Sequence, residues 1–244
     1  VLVRDSIKTL RVTLPSNDYF RLQAEAVLAD LLELDQRFAE SRELSLEILP
    51  VLEATLGAEH LLGFYLRMNL AVCELRLGNF ERAEALFRAD LARYESRGDP
   101  EGTRSARRDL HHRIGNCRTN LLDAEGALEH LEAALELAHD APVQQATLHM
   151  DIGSAWMQLG DLDTALEEYD RAGALYASLP SSFVNRFALA NNRAEVLLRL
   201  ERLDEASAQL DLSQRALEDG WREPGLRHIL IAEQRARLAL ARGN

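Results

Sequence analysis

The sequence has few of the residues that interrupt helices or cross-link chains. Its 244 residues include 13 glycines, 6 prolines and 2 cysteines, and aromatic residues make up only 6%. The two cysteines, Cys73 and Cys117, are too few for a disulfide framework and are typical of a reducing compartment. No apolar run approaches the roughly 20 residues that a membrane span needs, and no signal-peptide pattern stands at the start. We therefore expect a cytoplasmic protein that does not enter a membrane.

Lysine is almost absent, and the charge balance is acidic. Lys8 is the single lysine, and the formal net charge is −12. The excess of negative charge disfavours binding to the phosphates of nucleic acids. A phosphate-binding loop and Schiff-base chemistry both need a lysine, and the glycine-rich, zinc-protease and nucleophile-elbow motifs are also absent. The sequence therefore predicts no catalytic residue, no cofactor and no enzyme.

The seven histidines do not form a metal-binding pattern. No two of them stand four residues apart, which is the spacing that places two imidazoles on one helix face. We therefore expect no metal site. The alternative is a hydrolase or metal enzyme built across helices from His112, His149 and acidic neighbours.

What the sequence does contain is an internal repeat of about 42 residues. The clearest copy runs from Asp151 to Leu175, and a second copy begins at Asn69. The leading small residues of the copies fall at 29, 71, 115, 153, 194 and 236, with separations of 42, 44, 38, 41 and 42. Each copy has the apolar periodicity of two amphipathic helices around a tight turn. The small residues mark the places where paired helices approach closely, so larger side chains there should force the helices apart.

With this spacing the chain resembles the tetratricopeptide repeat (TPR) family over roughly residues 20–244. The stretch from Leu56 to Ala71 resembles the kinesin-light-chain subtype, in which a Leu-Gly-x-x-His linker precedes an Asn-Leu-Ala helix. The resemblance implies an all-α, right-handed α-solenoid of about five TPR helix pairs plus the first helix of a sixth. Its first helices would line a concave groove that binds peptides, proteins or small ligands.

This resemblance also predicts how the chain is divided. We expect residues 1–18 to form a linker or an upstream helix and residues 19–244 to form the solenoid. The predicted repeats are 19–56, 57–98, 99–140, 141–180, 181–222 and a partial repeat at 223–244.

The third repeat contains a concentration of positive charge. Residues 104–118 hold five arginines and one aspartate within a chain that is acidic overall. Four side chains there step by four residues and so share one helix face, which the helical phase assigns to the groove: Arg104, Arg108, His112 and Asn116. Forked guanidinium groups on this face could bind a carboxylate, a phosphate or an acidic peptide. The alternative is that the arginines pair with acidic residues of neighbouring helices.

Further groove residues are predicted on the other first helices. By the resemblance to kinesin light chains, Asn69 and Asn192 match the asparagine that contacts the backbone of a bound peptide. Helical phase adds Met68, Met150 and Asn191, and methionine suits a surface that adapts to its ligand. The alternative for the methionines is that they fill gaps between neighbouring repeats.

We therefore predict a binding and regulatory module that engages a peptide, a protein or a small acidic ligand. Arginine in place of lysine and the abundance of alanine and leucine suggest a bacterial source. Similar bacterial repeat arrays serve as sensory segments of larger signalling proteins, such as diguanylate cyclases and transcription activators. The competing prediction is a structural scaffold that forms a homodimer through an uncapped C-terminal helix.

Overall fold

The computed structural model describes residues 2–96, 98, 101–178, 183–220 and 225–243, and within these ranges the chain is helical without a strand. The helices are α1 (Leu2–Thr13), α2 (Tyr19–Leu34), α3 (Phe38–Leu56), α4 (Leu61–Arg76), α5 (Phe80–Ser96), α6 (Arg104–Asn120), α7 (Ala124–Glu136), α8 (Pro142–Leu159), α9 (Leu162–Ala177), α10 (Phe183–Arg199), α11 (Leu203–Gly220) and α12 (Leu226–Ala241). The predicted all-α fold class is confirmed. None of the described helices has both the length and the apolar character needed to cross a bilayer.

The helices form two compact units, Val1–Leu121 with α1 to α6 and Leu122–Asn244 with α7 to α12. In each unit, helices that follow one another along the chain pack against each other, as expected for helical hairpins. The division falls inside the predicted repeat 99–140. The predicted repeat boundaries near 99, 180 and 222 coincide with residues outside the described ranges, so the division into repeats stays a prediction.

The turns follow the sequence period closely. Six residues with positive φ each stand seven positions after a leading small residue, in the turns after α2, α4, α6, α8, α10 and α12: Gln36, Gly78, Leu122, Gly160, Glu201 and Gly243. A left-handed residue reverses the chain direction at the end of a helix, and glycine adopts this conformation at the lowest cost. The period found in the sequence is therefore also a period of the backbone.

Small residues bring the paired helices together, as the sequence predicts. In the first unit Ala71 of α4 and Ala83 of α5, the two helices of one predicted repeat, are both buried in one apolar cluster. In the second unit a Cβ atom added to Gly153 of α8 would lie 2.7 Å from the Tyr169 ring of α9. Such a separation is shorter than a van der Waals contact, so this close approach requires glycine.

Aspartates define the starts of three helices. The side chains of Asp18, Asp123 and Asp161 accept hydrogen bonds from backbone N–H groups three residues further on, at 3.0–3.1 Å. Each carboxylate satisfies one of the N–H groups that a helix leaves unpaired at its N-terminus. These caps fix where α2, α7 and α9 begin.

Candidate functional site

Helix α6 of the first unit carries the predicted basic face. Leu110, Ile114 and Cys117 are buried against α5, which fixes the rotation of α6 about its axis. This rotation leaves Arg104, Arg108, His112 and Asn116 partly exposed.

Two of the five arginines of α6 are used for packing. The Arg113 guanidinium lies 5.8 Å from the centre of the Phe87 ring, and Nε of Arg118 donates to Oε1 of Glu84 at 3.0 Å. Both partners belong to α5, so these arginines join the two helices. Arg118 therefore supports the alternative of pairing with an acidic residue of a neighbouring helix, whereas Arg113 contacts an aromatic ring there.

Arg107 and Arg108 of α6 have hydrogen-bonding capacity that the described residues leave unused. Arg108 donates from Nε and Nη2 to Oδ1 of Asp109, its neighbour in the chain, at 3.0 and 2.8 Å. Arg107 has a buried Nε without a hydrogen-bond partner, and its guanidinium forms no ion pair with the described residues. Nη1 of Arg104 lies 3.8 Å from Oε2 of Glu101 in the preceding turn. Arg107 lies in the basic segment 104–118 but is not among the predicted site residues, because burial of its Nε depends on tertiary packing.

Asn116 continues this face toward the C-terminal end of α6. Its carboxamide makes no hydrogen bond to the described residues, while its backbone carbonyl accepts from Nδ2 of Asn120 at 2.7 Å. A free carboxamide can both donate to and accept from a peptide backbone. Asn116 therefore retains the property that its predicted role requires.

The candidates on α4 are packed more tightly. Oδ1 of Asn69 accepts hydrogen bonds from the hydroxyls of Ser41 and Ser45 at 2.9 and 3.2 Å, and its Nδ2 donates to Asp30 at 3.2 Å. Asn69 is 8% exposed, so its carboxamide joins α4 to α2 and α3 in this structure. Its role in ligand binding stays a prediction, and a ligand would have to compete with these bonds.

Met68 lies beside the basic face. It is half-buried and packs on the apolar cluster that contains Leu110 and Ile114 of α6. The side chain could therefore offer apolar surface next to the α6 arginines, or it could serve the packing alone.

In the second unit, the predicted residues are Met150 on α8 and Asn191 and Asn192 on α10. Met150 is half-buried against the cluster around Tyr169. Burial raises the pKa of Tyr169 to about 12, opposed by hydrogen bonds with Ser154 and Asn192. The backbone carbonyl of Asn191 accepts from Gln234 of α12 at 3.4 Å, and its Oδ1 is buried without a partner. Met150 and Asn192 therefore make contacts within the unit, whereas the Asn191 carboxamide oxygen has no partner among the described residues, and the ligand-binding roles of all three stay predictions.

Candidate metal ligands in the described ranges do not form a cluster. No group of three or more His, Cys, Asp and Glu side chains there is arranged to hold a metal ion. Nδ1 of His149 lies 2.6 Å from Oε2 of Glu168, in a pair that links α8 and α9.

Comparison with solved structures identifies the fold. No protein-family model and no curated protein matches the sequence. The apo form of the quorum sensor NprR from B. thuringiensis is 20% identical with a TM-score of 0.74, over 97% of this chain and 61% of that one.

Two further structures carry the repeat in their descriptions. A signal transduction ATPase with numerous domains from Pyrococcus horikoshii, which has a tetratricopeptide repeat sensor, is 13% identical with a TM-score of 0.72, over 96% of this chain and 35% of that one. A putative kinesin light chain with TPR-like repeats from Podosopora anserina is 19% identical with a TM-score of 0.65, over 86% of this chain and all of that one. None of the three indicates a shared activity, because identities this low show the fold alone. The predicted resemblance is confirmed at that level: the chain has the fold of the tetratricopeptide repeat proteins.

Proposed function

We propose that the chain is a TPR binding module that takes an acidic segment of a partner protein on the basic face of α6. This basic face consists of Arg107 together with the four predicted side chains, Arg104, Arg108, His112 and Asn116. The observation that carries the proposal is the unused hydrogen-bonding capacity of Arg107, Arg108 and Asn116 in a chain with a surplus of carboxylates.

The chemistry of the basic face suits a peptide with carboxylate side chains. A guanidinium group forms two parallel hydrogen bonds to one carboxylate, which adds geometric selectivity to the charge attraction. The bond from Arg108 to Asp109 can be exchanged for one to a ligand, because Asp109 is 55% exposed and water can solvate it. Asn116 could then bind the peptide backbone, and Met68 could contact an apolar side chain of the ligand.

The wider role that we propose is sensory. Among proteins of this fold, one is described as a quorum sensor and another as containing a TPR sensor within a signal transduction ATPase. These descriptions support a regulatory segment of a larger bacterial signalling protein. The two buried, unpaired cysteines are consistent with a cytoplasmic location.

The test is peptide binding measured by fluorescence anisotropy. The probe is a short labelled peptide rich in glutamate, compared with the same peptide carrying glutamine. We expect saturable binding of the glutamate peptide, and we expect Arg108→Glu combined with Asn116→Ala to weaken it about tenfold or more. Circular dichroism should show unchanged helicity and a melting temperature close to that of the parent, since Asn116 is partly exposed and the Arg108 side chain, although only 13% exposed, pairs with an exposed carboxylate.

The matched control is Arg76→Glu on α4. It makes the same charge change at an exposed arginine outside the basic face, so it should leave the affinity nearly unchanged. Equal binding of the glutamate and glutamine peptides, or equal losses in both variants, would contradict the proposal.

The competing function is a scaffold that dimerises through α12. Leu226, Ile229 and Leu240 of this helix are 73%, 63% and 75% exposed, which is unusual for such large apolar side chains. Native mass spectrometry of the same sample separates the two functions. A dimer that persists on dilution and binds no peptide would favour the scaffold.

A further inference from the structure

The second unit contains a cavity that none of the sequence motifs predicts. It lies among α9, α10 and α11, far along the chain from the basic face, and has a volume of about 670 Å³. Sites for small ligands are commonly of this size. Its binding properties can therefore be tested independently of the proposed function of α6.

The inner surface of the cavity is apolar, and small residues create its space. Tyr176, Leu189, Ala190 and Ala216 line it and are each less than one-tenth exposed. Gly173, Ala174 and Ala177 of α9 line the side nearest solvent, where longer side chains would fill the opening. An apolar body of modest size can therefore enter without displacing the core.

The polar part of the lining is mostly basic. Arg186, Arg193 and Arg215 line the cavity together with a single carboxylate, that of Asp170. Nη2 of Arg193 lies 2.5 Å from Oδ1 of Asp170, so one of the positive charges is balanced locally. The described lining therefore keeps a net positive charge next to an apolar surface.

Two of these arginines have donors that the described residues leave unused. Nε of Arg193 is buried and has no hydrogen-bond partner, which leaves a donor desolvated without compensation. Arg215 is exposed and forms no ion pair with any described residue, although acidic residues are abundant. Burying a guanidinium donor without a partner is costly, and an anion in the cavity would remove that cost once the partly exposed Arg193 guanidinium turns its Nε toward the lining.

We propose that this cavity is a binding site for a small amphipathic carboxylate, with its carboxylate at Arg193 and Arg215 and its apolar chain against Leu189 and Ala216. A carboxylate has two acceptor oxygens, which a guanidinium fork can satisfy without other donors. A phosphate exposes more oxygens, and phosphate sites usually add backbone N–H groups from a loop or a helix N-terminus. Arg193 and Arg215 lie within helices, where the backbone N–H groups are already bonded.

Isothermal titration calorimetry with decanoate tests the site. Decylamine has the same chain length with the opposite charge, and decyl phosphate has the same chain with a different anion. We expect one decanoate per chain, no binding of decylamine, and weaker binding of decyl phosphate. Arg193→Gln and Arg215→Gln should each weaken decanoate binding by about tenfold, and Ala174→Leu should abolish binding by filling the cavity.

Arg202→Gln is the matched control. Arg202 is an arginine of the same unit that pairs with Glu205 and does not line the cavity, so decanoate affinity should stay unchanged. Because Arg215 is exposed, Arg215→Gln remains informative even if Arg193→Gln fails to fold.

Three results would overturn the proposal: no decanoate binding at millimolar concentration, equal binding of decylamine, or equal affinity in the cavity variants and the control. Tighter binding of decyl phosphate would contradict the assignment to carboxylates. None of these results depends on peptide binding at α6.

Discussion

Single glycines in this fold have opposite roles, depending on what surrounds the missing side chain. At Gly153 the position of an added Cβ is 2.7 Å and 2.9 Å from two atoms of the Tyr169 ring and 3.1 Å from the carbonyl oxygen of Ala165. At Gly173 the nearest atoms are side-chain atoms of Leu189 and Arg193 at 3.5 and 3.6 Å, which is an ordinary contact. Both glycines lie within helices, where alanine is intrinsically favoured by about 1 kcal/mol.

We expect Gly153→Ala to lower the free energy of unfolding by about 1–3 kcal/mol, because the added methyl group must displace Tyr169 and the backbone of α9. Gly173→Ala should raise it slightly or leave it unchanged, because the helix preference acts without a clash. Urea denaturation of the two variants and the parent measures both effects. Equal effects of the two substitutions would show that the close approach of α8 and α9 does not restrict the size of the side chain at position 153.

At the scale of the helix, α6 is held against α5 by a carboxylate that serves two arginines. Nε of Arg88 and Nε of Arg118 lie 2.7 and 3.0 Å from Oε1 of Glu84. Burial opposes ionisation of Glu84, but the hydrogen bonds from Arg88 and Arg118 outweigh it and lower the pKa of the carboxyl group. This contact helps orient the basic face, because Arg118 belongs to the same helix.

The contribution of Glu84 to the free energy of unfolding should therefore depend on pH. A carboxyl group whose pKa is lowered by folding stabilises the folded state at pH values above its unfolded pKa of about 4.3. This contribution is lost as the pH falls through the lower pKa of the folded state. We expect Glu84→Gln to lower the free energy of unfolding by about 1 kcal/mol at neutral pH. The difference from the parent should vanish in acid, as measured by chemical denaturation across the pH range. A difference that is independent of pH would assign the effect to packing.

At the scale of the whole chain, neither thiol group is exposed to solvent. The chain's two cysteines, Cys73 and Cys117, are both free and fully buried in the first unit. Burial raises the pKa of the Cys117 thiol to about 12 and also raises that of Cys73. Both groups therefore remain protonated and inaccessible in the folded protein.

We expect neither thiol to react with a chromogenic disulfide reagent at mildly alkaline pH until the first unit opens, and both to react in denaturant. Val12→Cys provides the control, because Val12 is 87% exposed and a thiol there should react at once. Rapid reaction of the parent protein would show that the packing around α4 and α6 opens readily.

Much of the fold could be predicted from the sequence because its determinants are local and periodic. The small residues at 29, 71, 115, 153 and 194 are all buried in the structure, and a left-handed turn follows each of them at a constant distance. Three of these turn residues, Gln36, Leu122 and Glu201, adopt that conformation without being glycine, so they could not be recognised from residue type alone. The sequence also locates the basic segment, because charge density along a helix needs no knowledge of its neighbours.

The roles of individual side chains could not be predicted in the same way. Arg108 and Arg118 look equivalent in the sequence, yet Arg118 pairs with Glu84, 34 residues earlier, while among the described residues Arg108 pairs with its neighbour Asp109 alone. Asn69 looks like a ligand contact but has its carboxamide bonded to Ser41, Ser45 and Asp30. The cavity among α9, α10 and α11 depends on small residues from three helices. Helical period and composition are properties of neighbouring residues and can be read along the chain, whereas partners and cavities depend on side chains that only packing brings together.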